Sequence, residues 1–267
     1  MIVDLNITHL FNELVLKRHD RKIFPKHFLA SVHSEIRSIE INVDQVIEKK
    51  KALESAFADL GFKECQDSNN IEMKLINNTL TQTFSKLGLK FINPDPKREF
   101  QIINGAIILS DFAYDNLENF MKRFYELFKT LESVLDISEN STVEKIGLRK
   151  IDSIIIKPVT NIPDSLSIFN PSLFSIARSG LILIDTFSTL EEALVLQKEE
   201  HLSIVKTRLS KKADDALEAN LDFDLIYRSE SNFNEAFTTI LKKLNQIHFD
   251  LFMWSVTDKM IKVMEAP

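Results

Sequence analysis

Hydrophobic and polar positions change their period several times along the chain, and each change marks an element. In 28-FLASVHSEIRSI-39, Phe28, Ala30, Val32, Ser34 and Ile36 share one face, while Ser31, His33, Glu35 and Arg37 share the other. A period of two with β-branched residues at its centre predicts a strand with one wet face. From residue 43 to 62 the period lengthens. Val46, Leu53, Phe57 and Leu60 fall on one helical stripe, with Asn42 or Asp44 at its start and Gly61 at its end, which predicts a capped helix. A polar stretch follows. The runs 97-KREFQII-103 and 106-AIILSDF-112 then flank Asn104-Gly105, the pair that a type I′ hairpin favours. A second helix starts at 115-DNLE-118, a variant of the capping box, and its apolar stripe is Leu117, Phe120, Phe124, Leu127, Leu131 and Val134. Another strand, 143-VEKIGLRKIDSIIIK-157, comes next and holds one of the chain's five glycines.

Strand, helix, two antiparallel strands, helix, strand is the split βαββαβ order, which predicts a ferredoxin-like α+β domain over residues 1–157. Three prolines within 158-PVTNIPDSLSIFNP-171 suggest a linker. Residues 158–267 then form a second, smaller α+β domain. Its predicted elements are a strand at 181–187, a helix capped by Thr189-x-x-Glu192, strands at 202–209 and 219–228, and a long helix from Ser231. Residues 11–16 fit either a short helix or an edge strand.

That last helix has two apolar stripes. Phe233, Phe237, Ile240, Leu244, Ile247, Leu251 and Trp254 recur at spacings of four and three, and Ala236, Leu241, His248, Phe252 and Ser255 widen the face. One stripe covers a sheet. The other predicts a contact with the first domain, a second copy or another protein, with Phe237, Leu244, Leu251 and Trp254 as its anchors. Met260 and Met264 extend it as an adaptable apolar patch.

Composition narrows the class. Hydrophobic residues make up 44% and charged residues 27% of 267, a globular balance. Twenty phenylalanines against one tryptophan and three tyrosines predict a core of rings that need no hydrogen-bond partner. A net charge of −6 argues against a coat for nucleic acid. Cys65 is the single cysteine, so an internal disulfide and a cysteine-based zinc site are both excluded. No basic-then-apolar leader and no membrane-length apolar run stand out, and a cytoplasmic protein is expected.

Chemistry-bearing patterns are few. Gly147 and Arg149 share one face of their strand, so Arg149 projects where the glycine leaves room. Its fork suits a carboxylate or phosphate ligand, or an internal ion pair that ties the sheet to a neighbouring element. The ion pair is favoured. Asp222 and Asp224 lie about 7 Å apart on one strand face, a spacing that could share a cation but that any half-exposed strand also shows. Arg37 could join Arg149 in lining a cleft. His248 falls on the buried side of the terminal helix, where a core-edge histidine is the simpler reading. No nucleophile elbow, phosphate loop or histidine metal motif occurs, so no catalytic residue, metal or cofactor is assigned.

Two stretches resemble a sporadically distributed bacterial family of uncharacterised proteins. Its members carry an R-x-G-L-R-Y-I-N strand after a helix with spaced aromatics, and end in a helix with a histidine, an aromatic and a Thr-Asp pair. Gly147, Leu148 and Arg149 match the first motif, with Lys150 in place of the aromatic and Asp152 in place of the asparagine. His248, Phe252, Thr257 and Asp258 match the second. Glu35-Ile36-Arg37 and 221-LDFD-224 resemble two further strands of the family. The resemblance implies membership in a bacterial family without an assigned activity, and the family's patchy distribution is that of mobile-element or antiphage-defence clusters. The expected function is a non-catalytic interaction subunit or adaptor that oligomerises or binds a protein through the C-terminal helix. The alternative is a nucleotide- or nucleic-acid-sensing module, or an enzyme, that uses a cleft around Arg149.

Overall fold

The structure, a computed structural model, describes residues 19–20, 22, 24–76, 79–157, 159, 161–179, 188–198, 200–213 and 216–266, with side chains described at all of these but 70–84 and 198. The segments 11–16 and 181–187 lie outside the described residues.

Strand β1 (Leu29–Ser38) alternates as its sequence does, with Val32, Ser34, Ile36 and Ser38 buried. The predicted first helix forms as two pieces, α1 (Val43–Glu48) and α2 (Lys50–Ala58), with the break at Lys49. Asn42 caps α1 by accepting the Asp44 and Gln45 amides, and Gly61 turns the chain after α2 with a φ of 92°. Two long strands follow, β2 (Glu64–Ile76) and β3 (Thr79–Pro94), paired antiparallel. Then comes the hairpin of β4 (Lys97–Ile103) and β5 (Ala106–Asp111). Asn104 and Gly105, at φ 48° and 76°, both occupy the left-handed region that a type I′ turn requires.

Helix α3 (Leu117–Leu135) is capped by the Asn116 side chain, one residue after the aspartate of the sequence motif, and buries Leu117, Phe120, Phe124, Leu127, Phe128, Leu131 and Leu135. Strand β6 (Thr142–Ile156) follows. The proline-containing stretch is structured from Asn161 onward. It folds into α4 (Ile162–Ser165), a 3-10 turn at Leu166–Ile168 and α5 (Ser175–Arg178). Three more strands, β7 (Thr189–Lys198), β8 (His201–Lys211) and β9 (Leu217–Tyr227), make an antiparallel meander. The chain ends with the short β10 (Ser231–Asn232), α6 (Phe233–Glu235), a π-helical turn at Ala236–Ile240, α7 (Leu241–Ser255) and α8 (Asp258–Glu265).

The ten strands form one sheet in the order β2-β3-β4-β5-β1-β6-β9-β8-β7, with β10 paired to β6. This corrects the expected ferredoxin-like domain followed by a smaller one. The strands predicted within 28–157 do lie side by side as β4-β5-β1-β6, but β2 and β3 extend the sheet at one end and β9, β8 and β7 at the other. The predicted helix at Thr189 is strand β7. Its Glu, Ala, Leu and Lys residues favour a helix, yet pairing along all of β8 overrides that preference.

The chain divides into two compact units, each discontinuous in sequence. One comprises Met1–Val32, Leu148–Tyr227 and Lys242–Pro267, and the other His33–Gly147 and Arg228–Leu241. Residue 157, where the sequence suggests a division, falls inside the Leu148–Tyr227 segment. In the His33–Gly147 unit the phenylalanines pack ring on ring. Phe57 lies 4.7 Å from Phe91 and 5.1 Å from Phe100, Phe124 lies 5.2 Å from Phe237, and Phe128 stacks on Phe233 at 4.3 Å. Among the described residues no helix is long and apolar enough to cross a membrane.

Candidate functional site

Alternation along β6 sends Arg149 to one face and Lys150 and Asp152 to the other, and the two faces meet different chemistry. Arg149 donates from Nε to Asp222 Oδ1 at 2.8 Å and from Nη2 to Asp222 Oδ2 at 2.7 Å. That hydrogen bond holds the guanidinium above its ordinary pKa, against the opposing effect of burial, and Asp224 adds a smaller attraction. Four residues along β6, Ser153 Oγ donates to Glu218 Oε1 at 2.8 Å. Lys212 also binds Glu218 at 2.6 Å, and these two hydrogen bonds hold its carboxyl below the usual glutamate range. This face is a row of closed polar pairs.

The opposite face carries a buried polar group that the sequence patterns did not single out as a site. Lys150 Nζ donates to Asn245 Oδ1 of α7 at 2.7 Å, and both residues are buried. Asp152 is also buried, and removal from water pushes its carboxyl up to about 7 while Lys150 pulls the other way. Its Oδ2, like Asn245 Nδ2, has no hydrogen-bond partner among the described residues. His248, one turn along α7 from Asn245, sets its ring edge-on to Phe223 of β9 at 5.1 Å. The signal available in the sequence was a lysine and an aspartate in the buried register of an otherwise apolar alternation.

The other predicted site residues are placed as follows. Arg37 donates to the Asn104 carbonyl at 2.6 Å and to Glu35 at 3.2 Å, and Glu35 also binds Lys145 at 2.9 Å. Gly147 is buried, and its carbonyl accepts Ser34 Oγ at 2.9 Å. Phe237, Leu244, Leu251, Met260 and Met264 are all buried within the chain, so their surface is already covered by its own core. Trp254 is half-buried. Among the described residues no group of three histidines, cysteines or acids is placed to hold a metal ion. Cys65 keeps its proton at neutral pH, because burial first and Glu54 second push the thiol up to about 11.

A different surface stands out at β7. It ends the strand order and, among the described residues, pairs with β8 alone. Leu194 is 39% exposed and Val195, on the other face, 59%. Ile176 of α5 is 49% exposed, and α5 is tied to β7 through Glu192, whose carboxylate accepts the Ser175 and Ile176 amides at 3.0 and 2.8 Å.

A comparison of the chain with protein-family models finds no match, and none is found among curated proteins.

Proposed function

We propose that the chain is a non-catalytic interaction subunit of a bacterial multi-protein assembly, working in the cytoplasm, and that its partner joins along β7. The carrying observation is an edge strand of ten residues with apolar side chains exposed on both faces. Open edges offer a row of unpaired backbone groups, and proteins that do not use them usually shorten, bulge or charge them. Here the centre of the edge, Ala193-Leu194-Val195, is apolar and exposed, and among the described residues no strand pairs with its outer side. An added strand would gain backbone hydrogen bonds along its length, and apolar contacts at Leu194 and Val195 would set its register.

Charge selects the partner. The segment 189-TLEEALVLQKEE-200 carries four acids and one lysine, so two copies brought together would each add a net negative charge to the seam. A segment with an apolar centre and basic flanks suits the edge instead. The rival reading, an enzyme or a nucleotide- or nucleic-acid-sensing module working from Arg149, needs a guanidinium with its fork open. That fork is closed on Asp222.

The test compares the full chain with Val195→Lys and Leu194→Pro as bait at moderate salt. A stoichiometric protein held by the wild type, released by salt and lost from both variants at unchanged melting temperature is expected. A partner held equally by all three, or a nucleotide in its place, would sink the reading.

A further inference from the structure

One strand in from the β7 edge lies a lysine whose charge the fold does not use. In register, Ala193 of β7 is opposite Lys206 of β8, and Lys206 is in turn opposite Asp222 of β9. Directly opposite residues share a face of an antiparallel sheet, so Lys206 has an acid for its inner neighbour. That acid is already taken, since both its oxygens accept from Arg149. Lys206 is exposed, and among the described residues no other carboxylate comes within ion-pair distance of it. Arg208, two residues along the same face, differs in having Glu191 at 3.4 Å. On the outer side, Ala193 alone separates Lys206 from the open edge in register.

The apolar part of the edge fixes where a bound strand would meet that charge. Val195 is opposite Ile204, on the face that carries Ala193 and Lys206. Leu194 is opposite the buried Val205, on the other face. Glu192 shares Leu194's face by alternation and accepts the α5 amides, which puts α5 and its exposed Ile176 on Leu194's side. Each face of the edge therefore offers one apolar contact, and only the Val195 face adds a cation within reach.

We infer that the strand β7 accepts carries two adjacent apolar residues followed by an acid: the first opposite Val195, the second opposite Leu194, and the acid opposite Ala193 with its carboxylate on Lys206. This rests on the edge reading above and adds the side chains that choose among strands. The strand runs antiparallel, as β7, β8 and β9 do, which is the more stable pairing. Neighbouring strands lie about 4.8 Å apart, so roughly 10 Å separates the backbone of the acid from that of Lys206. A lysine and a glutamate side chain together span that gap, and alanine is the smallest side chain that could stand between them. A basic residue two places after the acid falls opposite Glu191 and supplies one of the flanks.

The experiment measures fluorescence anisotropy of labelled peptides with the full chain at low salt and neutral pH. One peptide is Thr-Thr-Val-Ile-Glu-Thr-Lys-Thr, and its counterpart has lysine in place of the glutamate. The wild type is expected to bind the glutamate peptide about threefold or more tighter than the lysine peptide. Lys206→Glu, at an exposed position, reverses that order, and Val195→Lys holds neither peptide. Equal binding of the two peptides to the wild type, or an order unchanged in Lys206→Glu, would overturn the inference. The edge reading would survive that result if Val195→Lys still lost both. No saturable binding of the glutamate peptide would overturn the inference as well, and the pull-down with Val195→Lys would then decide the edge reading separately. Peptides held as tightly by Val195→Lys as by the wild type would overturn both.

Discussion

Arg149 and Asp222 meet edge to edge, with two nitrogens of one on the two oxygens of the other at 2.8 and 2.7 Å. Bidentate geometry makes this stronger than a usual surface pair, while a side chain 43% exposed at Arg149 keeps water close enough to screen it. Arg149→Leu should lower unfolding free energy by about 1 kcal/mol. Arg149→Lys should recover less than half of that, because an ammonium cannot fill both oxygens. A double-mutant cycle with Asp222→Asn in urea checks it, and zero coupling would show that the pair contributes nothing.

Asp152 makes stability depend on pH in the direction opposite to most carboxylates. Its folded pKa, about 7, lies above the ordinary 3.8. Between those values the folded chain binds the proton more tightly than the unfolded chain does, so this group's contribution is full below pH 3.8 and is lost as pH rises through 7. Acids held low in the fold, such as Glu218, act in the other direction. The difference between wild type and Asp152→Asn isolates the effect. Relative to Asp152→Asn, the wild type should lose stability steadily from pH 4 to 8, measured by denaturant melts. A flat difference would show that Lys150 keeps Asp152 ionised throughout.

Gly88 is, among the described residues, the glycine with least room. At φ 147° on β3, a Cβ built on it would lie 1.8 Å from the Ile102 carbonyl oxygen of the neighbouring strand. Backbone cannot step aside as a side chain can. Gly88→Ala should cost about 2–4 kcal/mol, seen as a lower urea midpoint at unchanged slope.

Arg178 holds the segment that its prolines marked as a linker. It donates to the carbonyls of Leu166 at 2.6 Å, Leu173 at 2.9 Å and Phe169 at 3.0 Å, and burial lowers its pKa. Arg178→Met should strip these carbonyls of the guanidinium, leaving Leu166 with the Phe169 amide alone, and cost about 2–3 kcal/mol. Amide exchange should quicken across 162–179 while β8 and β9 keep their protection. Uniform loss of protection would mean that the segment does not open separately.

Legibility in the sequence followed burial. Strand β1, the Asn104-Gly105 hairpin, α3 and β9 each bury one regular stripe and were readable from period and caps. Strand β2 was not, because Glu64, Gln66, Asp67 and Asn69 in its first half are all exposed, and only 71-IEMKL-75 in its second half alternates. β7 misled for a related reason: an edge strand with few buried positions leaves intrinsic propensity in charge of the prediction, and propensity there favours helix. At Arg149 the residue and its strand face were legible, as was the preference for an ion pair. Its partner Asp222 was noticed for a different chemistry, since a contact between distant strands has no local spacing.

The interleaving of the two units has a consequence during synthesis. A ribosome delivers the chain from its N-terminus, yet the His33–Gly147 unit awaits Arg228–Leu241, which brings Phe233 and Phe237 to the rings of α3. The other unit awaits Lys242–Pro267. Neither can close while its own final segment remains in the exit tunnel. A nascent chain stalled near residue 227 would therefore display both cores unfinished, and a gene cut anywhere between 148 and 227 would encode no complete unit in either piece.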